Sequence, residues 1–123
     1  MDIEGGEYGW ISAMNDNDLN HFRQITIEVH GINNDSWGTP YTVKSSCLKR
    51  LANTHYLIHA HGNNARGATN YIPNVFELTY VRKNEFAVPP VLNMDPLPDI
   101  RVDFPNNVNR ADYPLGMRPF TNV

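Results

Sequence analysis

The chain has a single cysteine, Cys47, among 123 residues, which excludes an intramolecular disulfide. That usage suits a reducing compartment, and a cytoplasmic protein is expected. No stretch approaches the roughly 18 apolar residues of a membrane span, and no basic segment leads into an apolar one at the start, so neither membrane nor secretion signal is expected. Charge is also scarce. Only 19% of residues are Asp, Glu, Lys or Arg, the formal net charge is -3, and no cluster of Lys or Arg forms a local positive field. Nucleic acid is therefore not an expected partner.

The glycines lack one arrangement that matters. They stand at 5, 6, 9, 31, 38, 62, 67 and 116 and never form G-x-G, so there is no glycine loop after a first strand on which a nucleotide or adenosyl group could rest. Walker A and GxSxG motifs are missing as well, which excludes the commonest phosphate loop and nucleophile elbow. HExxH and paired CxxC, the zinc spacings with diagnostic weight, are also missing.

What is present is enough for one core. Hydrophobic residues make up 41% of the chain, well above a disordered polyelectrolyte. Glu7 to Met14 has a weak helical pattern, and Asn15-Asp16-Asn17-Asp18 can cap a short turn carrying Leu19 and Phe22. RQITIEVH, residues 23–30, alternates strictly and reads as a strand with Ile25, Ile27 and Val29 on one face. Thr39 as N-cap and Pro40 at the first helical position predict a helix to about Ala52, its apolar stripe on Val43, Cys47 and Leu51. HYLIHAH at 55–61 and NVFELTYVRK from Asn74 read as two more strands. Strands alternating with a helix predict parallel pairing, and the last two strands, joined without a helix, predict an antiparallel pair. The expected fold class is α/β with a mixed sheet.

Seven of the nine prolines lie beyond Asn84, so regular structure is not expected there. Residues 1–83 are expected to form the domain and residues 84–123 an extended arm laid over it. Val88, Val91, Leu92, Ile100, Val102, Phe104 and Phe120 are the apolar residues expected to hold that arm down.

Several groups can carry chemistry. Asp2, Glu4 and Glu7 can act as metal ligands or general bases, or form an ordinary acidic loop. His59 and His61 project from one face of a strand, with His30 at the end of another, which offers either metal ligands or histidines satisfied within the fold. Gly62-Asn63-Asn64 is either a ligand-binding turn or simply a turn. Cys47 sits on the predicted apolar stripe as a small hydrophobe, with nothing nearby to make it a nucleophile.

DIEGGE at 2–7 resembles the post-strand motif of FkbM-type S-adenosylmethionine-dependent methyltransferases. ITIEVHG at 25–31, HYLIHAHGNN at 55–64 and FELTYVRK at 76–83 are similar to later family segments in the same order, and LPDIRVDFPN at 97–106 is similar to the proline-rich ending some members carry. The resemblance covers about the first 83 residues. It implies part of a Rossmann-like class I methyltransferase sheet of seven strands with the last inserted antiparallel, of which this chain would hold the fifth, sixth and seventh.

The family's cofactor loop and ribose-binding acid would lie before Met1. S-adenosylmethionine is thus the cofactor of the complete family, and this chain alone is expected neither to bind it nor to turn over. By resemblance, Asp2, Glu4, Glu7 and His30 are the catalytic candidates and Glu28, His61, Asn63 and Asn64 the acceptor-binding ones. No cofactor-binding or metal residue is assigned. The alternatives are a stand-alone ligand- or metal-binding module and one half of a split enzyme. A half-sheet would leave an unpaired edge and an uncovered face on Ile25, Ile27 and Val29, so a homo-oligomer is expected through one or the other.

Overall fold

A computed structural model of the chain describes residues 1–116. Helices α1 (Glu7–Ala13) and α2 (Asp16–Leu19) precede strand β1 (Gln24–His30). Helix α3 (Tyr41–Thr54) runs directly into β2 (His55–Gly62), and a small hairpin of β3 (Ala68–Thr69) and β4 (Ile72–Pro73) leads to β5 (Val75–Arg82). The architecture is α/β: a three-stranded sheet, a small second sheet and helices.

The predicted strands form, but the mixed sheet does not. The order is β1-β5-β2, with β5 antiparallel to both neighbours. β1 and β2 therefore run in the same direction, as a helical crossover requires, yet β5 lies between them and takes up their facing hydrogen bonds. Parallel neighbours were expected from chain order, and the third strand displaces them.

Alternation in β1 directs Ile25, Ile27 and Val29 to the helices. In the facing register they lie opposite Tyr80, Leu78 and Phe76, and Tyr8, Ile11, Leu19, Cys47 and Leu51 complete the core. The apolar face expected to be bare is thus covered by the chain's own helices: Ile27 and Val29 are fully buried.

Helix α3 starts one residue later than predicted, with Pro40 as the N-cap and no side-chain cap from its own first turn. Asp35 supplies the missing acceptor instead, its Oδ1 taking the Tyr41 N–H at 2.6 Å. Its buried stripe is Lys44, Cys47, Leu51 and Thr54, while Val43 is exposed. Lys44 displaces Val43 because its stem packs in the core while its ammonium donates to three carbonyls, those of Gly31, Asn34 and Ser36, at 2.8, 3.0 and 2.6 Å. Burial lowers its pKa, against the pull of Asp35 and Glu7.

After the short 3-10 turn Lys83–Glu85, residues 86–116 contain no strand or helix. The apolar residues expected to pin this segment are exposed: Val88, Val91, Leu92, Ile100, Val102 and Phe104 all face outward. Phe120 lies outside the described residues. Leu97 and Leu115 enter the core instead, bridged by a Leu115 N–H to Leu97 carbonyl bond of 2.9 Å. Prolines hold the chain extended, so neighbouring apolar side chains diverge rather than converge on one face.

Candidate acidic and histidine site

The site begins with a turn. Glu4 and Gly5 both have positive φ, 49° and 96°, and the Gly6 N–H closes back on the Ile3 carbonyl at 3.1 Å, the pattern of a type I′ turn. The φ of Gly5 favours glycine, and a Cβ there would also stand a tight 3.2 Å from the Trp37 ring. The turn delivers Glu7 to the first residue of α1 and into full burial.

There Glu7 acts as a clamp. Its Oε1 accepts the backbone N–H of His30 at 2.8 Å and lies 3.0 Å from His30 Nδ1, and its Oε2 accepts the Gly5 N–H at 2.9 Å. A carboxylate only accepts, so Nδ1 carries a hydrogen and donates it to Glu7. Tyr8, next along α1, donates its hydroxyl to the His30 carbonyl at 2.8 Å. Burial first, and then the Glu7 charge, raise the Tyr8 pKa. Trp37 closes the assembly, its ring centroid 4.5 Å from that of His30.

His30 is fully buried, yet its Nε2 has no hydrogen-bond partner among the described residues. Glu4 Oε2 stands 3.5 Å away, while Glu4 Oε1 takes Arg66 at 3.0 Å. One atom each of Asp2, Glu28 and His30 lie within 4.8 Å of one another. Burial, and then the adjoining Asp2 carboxyl, raise the Glu28 pKa, opposed by the Asn63 amide that donates to Glu28 at 3.0 Å.

The expected site residues thus divide. Asp2, Glu4, Glu7, Glu28, His30 and Asn63 come together at the C-terminal end of β1. His61 and Asn64 do not join them. His61 has both nitrogens engaged, Nδ1 with Glu77 and Nε2 with Asp112, each at 2.9 Å. Burial opposes its charge, but the Asp112 and Glu77 carboxylates outweigh it and raise its pKa. Asn64 donates to the carbonyls of Asn107, Arg110 and Ala111 and accepts the Asn107 N–H at 2.7 Å. His59 likewise pairs with Asp103 at 2.7 Å. The three-histidine metal set is therefore not formed: His59 and His61 hold residues 103–112 onto β2.

Sequence reading missed Lys44, Trp37 and Arg66, which fix the loop after β1 and cover the acids. Gly31 offered a signal. With φ +59°, a Cβ there would overlap Ser36 Oγ at 2.1 Å and approach Lys44 Nζ at 2.8 Å. The hollows on α3, one lined by Ser12, Thr42 and Cys47 among others and the other by Ile32, Tyr41 and Leu48, share no residue with the acidic cluster.

One further contact bears on the outer edge of β1. The Met1 amino group donates to the Thr26 carbonyl at 2.5 Å, and the Glu28 N–H donates to the Met1 carbonyl at 2.8 Å. One residue bonding to both neighbours of the residue opposite it is a rung of a parallel ladder, here Met1 against Ile27. The acids at 2–7 follow that rung at once. Among the described residues no helix is long and apolar enough to cross a membrane. No family model matches this chain, and no curated protein or solved structure matches it either.

Proposed function

We propose that this chain is the acceptor-side half of an FkbM-type S-adenosylmethionine-dependent methyltransferase fold, inactive alone and completed by a polypeptide segment that carries the cofactor loop. The observation that carries the reading is the placement of β5, a last strand inserted antiparallel between two strands of common direction. That is the arrangement the resemblance implies for the end of a Rossmann-like sheet. The bonds of Met1 to Thr26 and Glu28 agree, because they put the DIEGGE acids beside the C-terminal half of β1, and α/β sheets gather their sites at such strand ends.

In this reading the Asp2, Glu4 and Glu28 carboxylates orient an acceptor hydroxyl and take its proton as the methyl group moves, which is positioning and general-base work. Glu7 holds His30 in place and does not touch substrate. Residues 84–116 serve as an arm over the domain.

Calorimetry with S-adenosylmethionine tests the proposal. The chain alone gives no heat of binding. Stoichiometric binding and methyl transfer appear once a polypeptide with an apolar strand and a G-x-G loop, sought in the adjoining reading frame, is added. Tight binding or turnover by this chain alone overturns the reading.

The open Nε2 of His30 favours a second reading, a ligand-binding module that needs no cofactor half.

A further inference from the structure

We infer that His30 Nε2, Asp2 and Glu28 form a binding site for a divalent first-row transition-metal ion at the C-terminal end of β1. The inference does not depend on the methyltransferase proposal, since it rests on the arrangement of these side chains alone.

The ligand atoms are the right kind at the right separation. An imidazole nitrogen and two carboxylate oxygens, all within 4.8 Å of one another, can be spanned by one ion with bonds of about 2.0–2.2 Å after small side-chain rotations. A nitrogen with oxygens suits Zn2+, Mn2+ or Fe2+, whereas Mg2+ and Ca2+ favour oxygen alone.

The second observation is His30 itself. It is fully buried, and among the described residues Nε2 is without a hydrogen-bond partner. With Nδ1–H committed to Glu7, Nε2 is the ring atom left to meet an ion, and the nearest acid oxygen given for it, Glu4 Oε2, stands 3.5 Å away. The Glu7 to His30 contact is the carboxylate support that metal-bound histidines commonly have, holding the ring's tautomer and direction. Glu7 is thus a positioning residue, and the ligands are the other three.

The alternatives within the chain are weaker by the same criterion. His61 has a carboxylate on each nitrogen, and His59, partly exposed, has Nε2 on Asp103 and no buried ring atom without a partner. The acidic site is also open on one side, because Asp2 is exposed and Glu28 half-buried. An ion held there keeps coordination positions for water or an oxygen ligand.

Titration of the full chain tests the site with Mn2+, followed by loss of the free-ion electron paramagnetic resonance signal, and with Zn2+ by calorimetry. One ion per chain is expected. Asp2→Asn and Glu28→Gln, at positions not locked in the core, are each expected to weaken binding by about tenfold or more, and Glu7→Gln by about 10- to 100-fold. Asp112→Asn and His59→Ala should leave affinity unchanged. Mn2+ should also quench Trp37, which lies against His30, and the quenching should vanish in Trp37→Phe while binding persists. Circular dichroism establishes that each variant is folded. Absence of binding by both ions overturns the site, as does binding that is undiminished in the Asp2→Asn, Glu28→Gln double variant or lost in Asp112→Asn. Silence towards S-adenosylmethionine bears on the preceding proposal and leaves this one intact.

Discussion

His30 and His61 lie near the ends of parallel-running strands, both are buried and both touch carboxylates, yet they do different work. His61 bridges Glu77 and Asp112, so each nitrogen is taken and the ring ties the C-terminal segment to the sheet. His30 has one nitrogen held by Glu7 and the other open among acids. Pairing both nitrogens makes a histidine a fastener. Pairing one with a buried carboxylate, and leaving the other aimed at ligand-type oxygens, makes it a receiver. The distinction lies in the second partner, not in burial or residue type.

The largest expected effect breaks the receiver's support. Glu7→Ala removes the acceptor of the Gly5 N–H, the His30 N–H and the His30 ring. Orphaned buried donors are each costly, so a loss of about 3 kcal/mol or more is expected in urea unfolding. Lys44→Met comes next, at about 2–3 kcal/mol, because it strands the carbonyls of Gly31, Asn34 and Ser36. Hydrogen exchange should rise across 31–38 and not across β2.

On the fastener side, His61→Ala should cost about 1–3 kcal/mol and speed proteolysis within 103–112, leaving the α1 and β1 amides as protected as before. Stability should also depend on pH there. The folded His61 pKa is raised, so its contribution is complete below the unfolded value of about 6.5 and is lost as pH rises through the folded value. The advantage of the wild type over Asp112→Asn, read from melts across that range, should shrink with rising pH. Smallest of all is Asp2→Ala, at an exposed position, expected within about 0.5 kcal/mol of wild type. A large loss there would erase the division between ligand and support that separates Asp2 from Glu7.

Much of the fold was legible because it is local. Alternation through Ile25, Ile27 and Val29 marked β1, and the apolar runs at 55–61 and from Asn74 marked β2 and β5. The cluster at 2–7 was legible as acids around a Gly-Gly turn, and Gly5 and the positive φ of Glu4 supply the physical content of that motif. The placing of β5 was not legible in chain order and periodicity, which predicted parallel neighbours, and only the family resemblance implied an antiparallel insertion, since strand neighbours depend on pairing between residues far apart in the chain. Nor was the burial of Lys44 in place of Val43, because three loop carbonyls had first to converge on its ammonium.

The sequence by itself determined which segments become strands and helices, and that acids and histidines gather at strand ends, for backbone period and turn chemistry are written in neighbouring residues. Only the tertiary structure decided which histidine is closed and which is open. The partners that settle it, Asp112 for His61 and Glu7 for His30, stand 51 and 23 residues away, and a hydrogen bond depends on distance in space.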